Sequence, residues 1–170
     1  MVSRTLSLLI LILVAGTHVG NAQTVSLISE IRAEVGKIDA DLPRYAKRVK
    51  TALGVSLEGA EATYYHDGKN LKRVSAKLHG ETYNAVLALY YRGDVFFFAY
   101  QKLHRYDTQI GMQPPPKVVN SEEKRLYFSA DGLAALKIGQ TDVKQHDVRW
   151  REAEEEIVEV ADRLKAAYAP

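Results

Sequence analysis

Apolar residues recur at alternating steps of three and four along the first third of the chain. Ile28, Ile31, Val35, Ile38, Leu42, Tyr45 and Val49 are followed by Leu53. That stripe predicts a helix over residues 27–54, with Ser26 as its N-cap and Gly54 as its C-cap. Pro43 falls inside it. A proline there removes a hydrogen bond and costs about 3 kcal/mol, so the helix kinks at Pro43 or restarts from Asp41. A helix packing its stripe on a sheet is the expectation, with coiled-coil pairing as the alternative.

From residue 60 the period changes to two. Val74, Ala76 and Leu78 alternate with Arg73, Ser75 and Lys77, the pattern of a half-buried antiparallel strand. Six strands are expected across 60–139, separated by the turns Asp67-Gly68, His79-Gly80-Glu81, Arg92-Gly93-Asp94 and Asp131-Gly132. Ten Tyr and four Phe occur in the chain, and most of them fall in this region, as strands favour. Between the second and third hairpins lies a long loop, 103–123, holding Pro114, Pro115 and Pro116. Consecutive prolines make a stiff extended segment that cannot join a central strand. A second amphipathic helix is expected over 148–169, with Trp150, Ala153, Ile157, Val160, Leu164 and Tyr168 on one face. The fold class is α+β: an N-terminal helix, a six-stranded antiparallel β-meander and a C-terminal helix.

The first 22 residues read as a signal peptide. Arg4 precedes an apolar run from Leu6 to Ala15 that only Ser7 interrupts, and Gly20-Asn21-Ala22 supplies a small-residue cleavage site. Cleavage after Ala22 leaves residues 23–170, one domain's worth of chain, with no later stretch of membrane-spanning length. There is no cysteine, which excludes disulfides, thiol chemistry and Cys-type zinc sites. An exported chain without disulfides fits a bacterial periplasm or exterior. The formal charge of +2 is too balanced for a dedicated nucleic-acid binder.

Three hairpins share one form: Tyr64-Tyr65-x-Asp67-Gly68, Tyr90-Tyr91-x-Gly93 and Tyr127-Phe128-x-x-Asp131-Gly132. With Glu58-Gly59-Ala60-Glu61, Gly80-Glu81-Thr82 and Arg105-Tyr106-Asp107, they resemble a type of small secreted bacterial protein of unknown function. The aromatic-pair hairpins are also similar to MORN-type and immunity-type repeats, which implies binding or scaffolding and no catalytic residue. In the third hairpin, Ala134-Ala135-Leu136 stands where a bulky aromatic would suit the pattern.

Candidate chemistry is sparse. His66-Asp67 and His146-Asp147 lack the further ligands a metal-dependent hydrolase needs. Arg92-Gly93-Asp94 reads as a turn. No GxSxG, Walker loop or GxGxxG is present. Neither a catalytic residue, a metal site nor a cofactor is expected. Strand 95–102 carries Phe96, Phe98 and Tyr100 at one parity and Val95, Phe97 and Ala99 at the other, more apolar surface than one core needs. The face bearing Phe97, or its opposite if the parity is reversed, is therefore expected to adjoin a recognition surface edged by Lys77, Arg105 and Tyr106. The competing expectation is that the 103–123 loop folds back as a lid, bringing Ile110 and Met112 over the strand. These readings favour a non-enzymatic binding module acting on an unknown protein or small ligand. The alternative is a periplasmic carrier holding an apolar or anionic ligand between sheet and helices. A hydrolase has least support.

Overall fold

A computed structural model describes residues 19–56, 59–93 and 95–168. Helix α1 runs over Val19–Asp41 and is followed by a 3-10 turn, Leu42–Arg44. Eight strands follow: β1 (Ala46–Ala52), β2 (Ala60–Asp67), β3 (Asn70–Gly80), β4 (Tyr83–Arg92), β5 (Val95–Tyr106), β6 (Val118–Ser129), β7 (Gly132–Ile138) and β8 (Thr141–Val143). Helix α2 closes the chain over Val148–Tyr168. The strands lie in one antiparallel sheet in sequence order, each hydrogen-bonded to the next.

The α+β class, both helices and the antiparallel sheet follow the sequence pattern, but the boundaries shift. The sheet has eight strands where six are expected, because β1 and β8 join its edges. The helix expected over 27–54 ends at Asp41, and no kink is needed. Pro43 falls in the 3-10 turn, and Ala46–Ala52 pairs along its whole length with β2. Ser26 lies inside α1, bonding Glu30 at 2.8 Å rather than capping a terminus. The long loop also shrinks: β5 extends to Tyr106 and β6 begins at Val118, leaving 107–117. Of the expected signal peptide, residues 1–18 lie outside the described residues, and the expected cleavage point after Ala22 falls within α1.

Alternation along the strands divides the apolar residues between two cores. On one face Ala62, Tyr64, Val74, Leu87, Leu89 and Leu126 pack under Trp150, Ile157 and Leu164 of α2. On the other, Ala88, Tyr90, Phe98, Tyr127 and Ala135 pack under Ile31 and Ile38 of α1. Each large side chain so buried contributes about 1.5–3 kcal/mol. Both helices cross the strands. Along α2, Glu154 accepts from the Leu133 amide of β7, Glu156 accepts from Gln101 of β5, and the carbonyls of Ala167 and Tyr168 accept from Lys50 of β1. Along α1, Arg32 meets Tyr127 of β6, and Asp39 meets Tyr90 of β4 and Arg73 of β3.

Phe97 has no Cα partner on β4, because Tyr90 pairs with Phe98 and Tyr91 with Phe96. This bulge reverses the parity expected for the strand. Phe97, Phe98 and Tyr100 all lie on the α1 side, while Phe96 and Ala99 lie on the α2 side.

Candidate functional site

The short last strand makes room for a cleft. β8 covers β7 only from Leu136 to Ile138, so the first half of β7 has no ladder neighbour on that side. Along that uncovered edge a cleft of about 520 Å3 opens between α1, β7, β8 and the start of α2. Thr24, Val25, Ile28, Ser29 and Arg32 line it from α1, at the spacing of one helical face. Ala134, Ala135, Leu136 and Lys137 form its β7 wall, and Asp142, Val143 and Trp150 complete it. The small residues Ala134 and Ala135, where the hairpin pattern favours a bulky aromatic, leave this space open.

The lining is apolar with a charged rim. Lys137 is paired with Asp142 at 2.6 Å, which cancels both charges. Arg32 donates through Nε to the Tyr127 hydroxyl at 3.3 Å and has its guanidinium 5.9 Å from that ring. Among the described residues no carboxylate forms an ion pair with Arg32, so the three charged liners sum to +1. Trp150, the single tryptophan of the chain, is nearly buried in the wall.

The surface expected from the sequence is dispersed. Phe97 is buried in the α1 core, with the Arg92 guanidinium 4.9 Å above its ring and Arg92 itself paired with Glu34. Lys77 is exposed on the α1 side of the sheet, beyond the helix, where cross-strand pairing runs Glu61, Lys77, Val86, Lys102, Glu123. Tyr106 accepts a bond from Asn84 Nδ2 at 3.3 Å. Arg105 points to the opposite face, where it lines a smaller cleft of about 250 Å3 with Leu78, Leu103, Glu156 and Val160. Burial pulls the Glu156 carboxyl upward, but Gln101 at 2.9 Å and Lys124 at 3.0 Å outweigh it and hold it below the usual carboxylate range. The loop is no lid: Ile110 and Met112 are exposed, and the loop anchors to the β3–β4 turn, Ile110 N donating to Glu81 O at 2.7 Å.

The two His-Asp pairs lie apart from both clefts' linings. Asp147 caps α2 by accepting from the Arg149 amide at 3.0 Å, and its bonds to Arg149 draw its carboxyl down to about 2. His66 stacks on Tyr168 with ring centroids 4.7 Å apart, and its Nε2 is buried without a partner among the described residues. Among the described residues, no three His, Asp or Glu side chains converge as a metal site, and no helix is long and apolar enough to cross a membrane.

The α1–β7 cleft was not legible as a site in the sequence. Its walls come from residues 24–32 and 134–150, and Ala134-Ala135 is the one local signal. The chain matches no family model, no curated protein and no solved structure.

Proposed function

We propose that this chain is a non-enzymatic carrier that holds a small ligand in the cleft between α1 and the uncovered edge of β7. The observation that carries this reading is the cleft's size and make-up. About 520 Å3 falls within the roughly 300–1,000 Å3 of small-molecule sites, and an apolar lining with a few polar groups is their usual composition. The proposal includes export: cleavage of the leader after Ala22 removes none of the lining residues, which begin at Thr24. Extraction of the purified protein followed by mass spectrometry tests it. A near-stoichiometric small molecule is expected in the parent and lost from Ala134→Phe, which fills the cleft from the β7 side. Finding none in either protein, with added ligands also failing to bind, overturns the reading.

A second reading rests on the part of the α1-side sheet face that α1 leaves open. There Val86 is 49% exposed between Lys77 and Lys102, an apolar spot flanked by cations. Such a spot suits a protein partner. A photo-crosslinking residue at Val86 would form a discrete protein adduct in cells under this reading, and no adduct if the face is merely solvated.

A further inference from the structure

The cleft's charge and shape narrow the ligand class, on the premise that the cleft is the binding site. We infer that its ligand is a single-chain amphiphile with a carboxylate head, the chain lying along Ile28, Ala134, Leu136, Val143 and Trp150 and the head meeting Arg32.

The apolar part of the argument is the lining itself. Val25, Ile28, Ala134, Ala135, Leu136, Val143 and Trp150 present hydrocarbon from two helices and two strands, and burial of a ligand methylene there is favourable by the same transfer free energy that drives folding. The polar part is Arg32. Lys137 is already neutralised by Asp142 at 2.6 Å, whereas among the described residues Arg32 bonds the uncharged hydroxyl of Tyr127 and no carboxylate. Donation through Nε leaves the two terminal nitrogens of the guanidinium for a ligand, in the fork geometry that fits a carboxylate. A cationic head would face the surplus charge of Arg32. A neutral alcohol would leave that charge without a partner. The smaller cleft on the other face has the opposite arrangement, because there Arg105 already stands beside Glu156.

Trp150 is the only tryptophan and lies in the cleft wall, so its emission reports occupancy without a label. The test strips the purified exported protein of bound lipid. It then titrates dodecanoate and dodecyltrimethylammonium below their critical micelle concentrations and dodecanol below its solubility limit. Saturable change of Trp150 emission with dodecanoate is expected, with about fivefold weaker binding of dodecanol, as a partly exposed ion pair provides. Arg32→Gln should abolish that preference and Arg32→Lys restore most of it, with far-ultraviolet circular dichroism unchanged. Equal binding of dodecanol and dodecanoate, both blocked by Ala134→Phe, would overturn the carboxylate assignment while leaving the carrier reading standing. Failure of all three probes to perturb Trp150 overturns both. Binding undiminished in both Ala134→Phe and Ser29→Phe, which fill the cleft from opposite walls and add no second tryptophan, does the same.

Discussion

The hydroxyl of Tyr64 donates to the main-chain carbonyl of Leu164 at 2.7 Å, and both residues are fully buried. This bond ties the middle of β2 to the last turns of α2. Burial raises the Tyr64 phenol above its usual pKa, so the hydroxyl stays protonated and donating across the physiological range. Tyr64→Phe keeps the ring against Tyr168, 4.9 Å away, and removes only the bond. A loss of about 1 kcal/mol is expected, read as a lower urea midpoint at unchanged slope. An unchanged midpoint would mean that the helix end does not depend on this bond.

Phe97 and Lys77 separate structure from surface. Phe97 is 4% exposed in the α1 core, so Phe97→Ala should cost about 3–5 kcal/mol by opening a cavity beneath Ile38 and Phe98. Lys77 makes no ion pair among the described residues and faces solvent, so Lys77→Ala should change stability by less than about 0.5 kcal/mol. Thermal or urea unfolding of the two variants compares them directly. Comparable effects would contradict the burial of Phe97.

These residues also show where the sequence was readable. The α2 stripe and the glycine turns from Asp67-Gly68 to Asp131-Gly132 speak locally, and the elements they predict are present. The helical period at Tyr45, Val49 and Leu53 did not hold. Steps of four are also multiples of two, so a strand can satisfy them as well as a helix; Val49 lies in β1, with Tyr45 just before it and Leu53 just after. Val49 and Leu53 are in fact exposed, and Ala52 is the residue of β1 buried under α2. The parity of β5 was lost at Phe97, because a bulge formed without glycine leaves no mark in composition. The cleft joins segments more than a hundred residues apart, which no local pattern encodes.

His66 makes the fold sensitive to mild acid. Burial, reinforced by the charge of Arg48, holds its imidazole below the ordinary value of about 6.5. Below that pH the unfolded chain takes up a proton at His66 before the folded chain does, so stability present above about pH 6.5 is lost as pH falls through the folded value. The urea midpoint should drop between pH 7.5 and pH 5. His66→Phe, which keeps the stack on Tyr168, should flatten that drop. An equally steep profile in the variant would assign the effect to other groups.

Gly80 is required by contact rather than by backbone conformation. A methyl group added there would sit 2.1 Å from Cε1 of Tyr83, its cross-strand partner. Gly80→Ala must push the Tyr83 ring off the turn, at about 1–3 kcal/mol. Tyr83 also lines the smaller cleft, so the displaced ring would alter that side of the sheet and leave the α1–β7 cleft intact. Calorimetry with dodecanoate on this variant should show lowered stability and unchanged affinity.

Asp39 fastens the far end of α1. One carboxylate oxygen accepts from the Tyr90 hydroxyl at 2.9 Å and from Arg73 Nη1 at 2.9 Å, and the other accepts from Tyr90 at 3.1 Å. Burial raises the Tyr90 phenol, and Arg73 Nε is buried without a partner among the described residues, so both groups depend on the carboxylate for satisfaction. Asp39→Ala leaves a buried hydroxyl without its acceptor and a guanidinium without its counter-charge, at about 1–3 kcal/mol. Asp39→Asn retains an acceptor oxygen and should lose less. The loss should be local, because α1 and α2 occupy separate cores on opposite faces of the sheet. Amide hydrogen exchange in Asp39→Ala should therefore quicken along residues 28–41 while residues 150–164 keep their protection. If both helices lost protection together, the two cores would open as one unit, and α1 could not move over its cleft independently of the sheet.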